Sequence, residues 1–159
     1  MTTLPDIPRL YTALAEVLAA VLYAQAMPPR MDKRLCWSIT VVWAGLLAVF
    51  LQLTGDVPLV WWIPCMTAAI GWIYLYLWGT RAMNLLEAGY SCARAFILAE
   101  LAASVEWQLH CVLWPQQGAG KPLSLVLLAV VYAALYGFLY LFEQRRATAA
   151  RLTITTVAM

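Results

Sequence analysis

Five stretches of the chain are runs of apolar residues separated by short polar turns: 10–27, 35–53, 57–79, 89–114 and 123–142. Each is close to the roughly 20 residues that a helix needs to cross a bilayer at about 1.5 Å rise per residue. In hydrocarbon every backbone N–H and C=O must find an internal partner, so each run is expected to be a helix. Pro28-Pro29, Thr54-Gly55-Asp56 and the segment Pro115 to Pro122 mark the turns. The fourth run is the most polar, with Arg94, Glu100, Glu106 and His110 inside it. If that run only lay along the interface, the fifth helix would run in the opposite direction.

Composition turns this pattern into a fold class. Of the 159 residues, 64% are hydrophobic and 11% charged, against roughly 45–50% and about 25% in soluble domains. The expectation is an all-α, polytopic membrane helix bundle with five transmembrane helices spanning residues 1–145, followed by a tail, 146–159. Orientation follows from the basic residues, because positively charged short loops stay in the cytoplasm. Arg30, Lys33, Arg34, Arg81, Arg94, Arg145, Arg146 and Arg151 fall on one side of a five-helix arrangement, and Arg9 and Lys121 on the other. The N-terminus is therefore expected outside and the C-terminus in the cytoplasm, across a plasma membrane. Trp61, Trp62, Trp78, Trp107 and Trp114, with Tyr74, Tyr76 and Tyr140, fall mostly near helix ends, where amphipathic rings favour the headgroup boundary. A cleavable leader ending at Ala24-Gln25-Ala26 is disfavoured: Glu16 interrupts the apolar run and three basic residues follow directly.

Motif chemistry is sparse. Cys36, Cys65, Cys92 and Cys111 show no C-x-x-C spacing and are read as small buried hydrophobes. No glycine-rich phosphate loop, H-E-x-x-H or serine elbow occurs, and Gly118-Ala119-Gly120-Lys121 reads as a turn. No cofactor, bound metal, catalytic residue or nucleic-acid partner is expected. The lipid bilayer is.

The informative residues are ionisable groups at membrane depth, which pair, neutralise or face a polar cavity. At about 100° per residue, Ala95, Ala99, Ala102, Ala103, Glu106 and His110 share one face of the fourth helix, with Glu106 and His110 one turn apart. Glu100, Ser104, Trp107 and Cys111 form an adjoining strip. In the first helix Ala13, Glu16, Ala20, Tyr23 and Ala24 form a similar small and polar face. Counted from the outer helix ends, Glu16 and Glu106 are expected at one depth, which would let them meet. Two readings stay open: a ligand or ion site, or interhelical hydrogen bonds that only fix packing.

The stretch Arg94 to Gln108, RAFILAELAASVEWQ, resembles a helix that recurs in the N-terminal membrane region of bacterial GHKL-type sensor histidine kinases. Leu10-Tyr11-Thr12-Ala13-Leu14-Ala15-Glu16, followed by Tyr23 and a basic turn, is similar to the first helix of the same family. The resemblance implies a membrane sensor module that feeds a cytoplasmic dimerisation helix and kinase domain. It carries that sensing role onto Glu16, Arg94, Glu100, Glu106, Trp107 and Gln108. The phosphoacceptor and ATP-binding regions are absent from this sequence, and His110, its only histidine, is expected near the outer side. Kinase activity is therefore not carried over. The expectation is a signal-input module, not an enzyme, whose partners are a small ligand or peptide and either a second copy or a separate kinase chain. The runner-up is a small transporter or solute-binding membrane subunit using Glu16, Glu100 and Glu106; a metal-dependent membrane enzyme is a weaker third.

Overall fold

A computed structural model describes residues 7–55, 57–114 and 122–157, with side chains as far as Glu143. It contains five α-helices: α1 (Arg9–Gln25), α2 (Lys33–Leu53), α3 (Leu59–Thr80), α4 (Leu85–Leu113) and α5 (Pro122–Val157). Four stretches, Lys33–Leu53, Val60–Thr80, Leu85–Leu113 and Pro122–Glu143, are long and apolar enough to cross a membrane. The polar fourth run is among them. The short member is α1, whose 17 residues reach about 25 Å at 1.5 Å each.

Local chemistry sets the ends. Pro8 precedes α1, and the Pro28-Pro29 pair follows it, where no α-helical hydrogen-bond ladder can continue. Helix α4 starts four residues earlier than its apolar run because Asn84 and Glu87 form a capping box. Asn84 N–H donates to Glu87 Oε2 at 3.0 Å, and Asn84 Oδ1 accepts from Glu87 N–H at 3.5 Å. Helix α5 extends well past its apolar run, so the expected tail begins as a continuation of the same helix.

Side-chain bonds fix the direction of each neighbour. Tyr132 Oη donates to Tyr11 O at 2.8 Å and Tyr136 Oη to Ala15 O at 2.7 Å, so α1 and α5 run parallel. Thr40 meets Tyr76 at 2.9 Å while Trp43 Nε1 donates to Trp72 O at 3.3 Å, which makes α2 and α3 antiparallel. Tyr74 against Gly89 and Cys92 against Ile70 make α3 and α4 antiparallel. Helices α1, α3 and α5 thus point one way, α2 and α4 the other. The α1–α2 and α3–α4 turns lie at one end, hereafter the Pro29 end, and the α2–α3 turn at the opposite, Gly55 end.

Helix α1 is the hub. It packs against all four other helices, and nine of its 17 residues are buried. Ala15 and Ala19 pack with Ala95, Ala99, Ala102 and Ala103 of α4 and with Val131, Tyr132 and Tyr136 of α5. Ala13, Ala20 and Ala24 pack on the other side with Leu47 of α2 and Ile73 and Leu77 of α3. Alanine at these positions lets backbones approach closely, the usual basis of helix association in lipid. Leu10, Leu14 and Leu18 form its one exposed apolar strip. Trp43 stacks on Tyr76 with centroids 4.1 Å apart, so Tyr76 belongs to the core and not to an interfacial belt.

Candidate functional site

A cleft of about 450 Å³ opens at the Gly55 end between α1, α3 and the middle of α4. Arg9 and Thr12 line it from α1, Trp62 and Met66 from α3, and Glu100 from α4. Arg9 is the first residue of α1, and its Nη2 donates to Gly55 O at 3.4 Å. A Cβ on residue 55 would stand 3.0 Å from Arg9 Cγ, so a side chain there would push the Arg9 side chain aside. Arg9 and Glu100 interact electrostatically but form no ion pair. Opposite charges are thus held apart across one cavity.

Below the cleft the polar trail continues inward. Thr12 and Glu16 lie one helical turn apart on the same face of α1, and Glu16 is 1% exposed. Neither carboxyl oxygen of Glu16 has a hydrogen-bond partner among the described residues. Its electrostatic neighbours are Glu100, Cys92 and Tyr136. The expected meeting of Glu16 with Glu106 does not occur. Arg94 of α4 lies over the Tyr23 ring of α1, and with the antiparallel register that contact sets, Glu16 is level with about residue 101. Glu106 therefore sits some five residues, about 7–8 Å, nearer the Gly55 end. Counting from helix ends misjudged the depth because α4 outruns α1 at both ends.

Glu106 forms a second buried acid, fully enclosed and with no hydrogen-bond partner for its carboxylate among the described residues. Its electrostatic neighbours are His110 and Tyr132. The His110 ring stacks on Trp107 with centroids 5.1 Å apart and lies 6.0 Å from the Trp114 ring, so it is built into an aromatic column and does not bond Glu106. Gln108 is exposed, on the face of α4 turned away from the bundle. Arg94 lies toward the Pro29 end, over the rings of Tyr23 and Tyr90 at 4.9 and 5.5 Å, where it forms an ion pair with Glu143 of α5. The structure thus groups Glu16 with Glu100, sets Glu106, Trp107 and His110 one level away, and leaves Arg94 and Gln108 apart from both. Among the described residues no group of three His, Cys, Asp or Glu is arranged to hold a metal.

Several contributors carry little sequence signal. Arg9 and Thr12 look like an ordinary helix start. Tyr132 and Tyr136 did carry one: two phenols at i, i+4 in an apolar helix each need a hydroxyl partner inside the bundle. They find it on the backbone of α1, and Tyr11 Oη completes the seam with Ser124 Oγ at 3.0 Å.

No protein-family model, curated protein or solved structure matches the chain.

Proposed function

We propose that this chain is a membrane-embedded signal-input module that binds a small zwitterionic solute or short peptide in the cleft at the Gly55 end. One observation carries the reading. Helix α1, which lines the cleft through Arg9 and Thr12, is bonded to α5 through Tyr11, Tyr132 and Tyr136, and α5 runs unbroken from Pro122 to Val157. At 36 residues it is about 54 Å long, well beyond a hydrocarbon core of about 30 Å. A solute that binds two packings of α1 with different affinity shifts the population of α5 positions, and the end of α5 presents that shift outside the bundle.

The separated charges set the ligand class. Arg9 offers a fork for a carboxylate and Glu100 an acceptor for an ammonium. In this proposal all five helices span. The lipid-facing Leu10, Leu14 and Leu18 strip supports counting α1, and the parallel course of α1 and α5 fits three crossings between them. The excess of Arg and Lys at the Pro29 end supports an orientation with that end, and the C-terminal part of α5, in the cytoplasm and the cleft outside. The likeness of RAFILAELAASVEWQ to the GHKL-type sensor helix points to the same role, with a bacterial kinase chain as the receiver.

The test is a thermal-stability screen of the protein in nanodiscs against the free α-amino acids and a dipeptide panel. Stabilisation that disappears in Glu100→Gln and in Arg9→Gln supports the reading. A panel with no stabilising member refutes it. A second reading, a small carrier, is favoured by two buried acids at successive levels, Glu16 and Glu106, whose carboxylates have no hydrogen-bond partner among the described residues. Saturable, gradient-driven uptake of the stabilising solute into liposomes would select it.

A further inference from the structure

At the opposite end of the bundle lies a second cavity, about 230 Å³, between α1, α2 and α3. It is lined by Lys33 from the first turn of α2, Arg81 from the α3 C-cap, and Gln25, Cys36, Trp37 and Thr40. We propose that this cavity binds a phosphoryl anion, presented by the headgroup of an anionic phospholipid. The inference does not depend on the signalling reading.

The site is built and not merely basic. The α1–α2 and α3–α4 turns are clasped by two backbone hydrogen bonds, Arg30 N–H to Thr80 O and Ala82 N–H to Pro28 O, each 3.0 Å. Arg81 sits inside that clasp in extended conformation, φ −118° and ψ 149°. Its Nε is buried, with no hydrogen-bond partner among the described residues. A buried guanidinium N–H that nothing accepts costs free energy, and a phosphate oxygen is the acceptor its planar fork matches best.

Three further features favour an anion. Arg30 lies over the Trp78 ring at 5.8 Å, and Arg34 follows Lys33, so four cations stand around the clasp. Helix α2 begins here with no side-chain cap, because the Asp32 side chain makes no cap bond; the first-turn N–H groups add positive potential. Of the acids toward this end, Asp32 is exposed, Glu87 is held in the α4 capping box and Glu143 is paired with Arg94. The exposed Trp37 sits at the cavity edge, where a lipid-borne headgroup enters. Basic pockets between transmembrane helices are a recurrent way of holding such headgroups.

Native mass spectrometry of the full chain, titrated with phosphatidylglycerol, phosphatidylcholine or inorganic phosphate, tests the proposal. The parent is expected to retain phosphatidylglycerol over phosphatidylcholine, and Arg81→Gln to weaken that retention about tenfold, as loss of a charge-assisted bond implies. Arg81→Lys keeps the charge without the fork and falls in between. Lys33→Gln weakens it too, and Arg9→Gln, at the Gly55 end of the bundle, is the control that leaves it unchanged. Should Arg81→Gln fail to fold, Arg81→Lys and Lys33→Gln carry the comparison. Equal retention of phosphatidylglycerol by the parent and these variants overturns the proposal, as does equal retention of the two lipids. Inorganic phosphate that binds the parent and displaces phosphatidylglycerol keeps the phosphoryl site but overturns its assignment to lipid.

Discussion

Glu16→Met separates a ligand or ion site from simple packing by the sign of a stability change. Glu16 is 1% exposed and neither of its carboxyl oxygens has a hydrogen-bond partner among the described residues. A buried polar group left in that state costs about 1–3 kcal/mol. Methionine is unbranched, similar in length and adaptable to an irregular gap, so the substitution removes the penalty and keeps the packing against α4. The expected result is a gain of about 1–2 kcal/mol in stability. A carboxyl serving as an interhelical hydrogen bond would behave oppositely, with a loss averaging about 0.6 kcal/mol. Equilibrium unfolding in mixed micelles, followed by the fluorescence of the eight tryptophans, reads the difference. Destabilisation of half a kcal/mol or more, on the order of that average, would contradict an unsatisfied carboxyl and assign Glu16 to helix packing.

Other consequences follow from the same contacts. Tyr136→Phe removes one hydroxyl bond to Ala15 O and should cost about 0.5–1.5 kcal/mol in the same unfolding assay, with Tyr132→Phe similar. The double variant should fall short of their sum, because the two rings contact each other edge-on at 5.8 Å. Ala99→Leu places a large side chain in the fully buried α1–α4 seam and should cost about 1–3 kcal/mol or prevent folding, whereas Leu101→Ala on the exposed face should be nearly silent. Arg94→Lys keeps the charge beside Glu143 but loses the planar contact with Tyr23 and Tyr90, with an expected loss of about 1 kcal/mol. Gly55→Val drives Arg9 out of its position and should abolish solute-induced stabilisation with little change in unfolding midpoint.

Helix existence and facing were legible in the sequence because lipid allows so few alternatives. Ala95, Ala99, Ala102, Ala103, Glu106 and His110 were assigned to one face by the helical period, and all six are buried; so are Ala13, Glu16, Ala20, Tyr23 and Ala24. Boundaries were less legible, for an identifiable reason. Asn84-Leu85-Leu86-Glu87 is a capping-box sequence, and weighing hydropathy above it placed the start of α4 four residues late. Depth was less legible still, because α1 and α4 differ in length and their relative levels depend on how the two helices slide past each other, not on where their ends fall. Pairing between helices lay further out of reach. A period says that Glu106 and His110 share a face, but not that His110 turns its ring onto Trp107. Nor does it say that Arg9 comes to rest on Gly55, or that a buried Nε is left at Arg81, since those contacts arise only once turns distant in sequence are brought together.

In the proposed sensor the cleft and the far end of α5 are coupled through α1. Spin labels at Leu10 and Leu141, both exposed and away from the seam, measure the relation of α1 to the distal part of α5 by double electron–electron resonance in nanodiscs. Saturation with the stabilising zwitterion should shift or narrow the distance distribution, and the Tyr132→Phe/Tyr136→Phe variant should abolish that response while still binding the solute. A distribution that stays the same while the cleft is shown to be occupied would contradict the coupling and leave a membrane protein that binds its solute without reporting it.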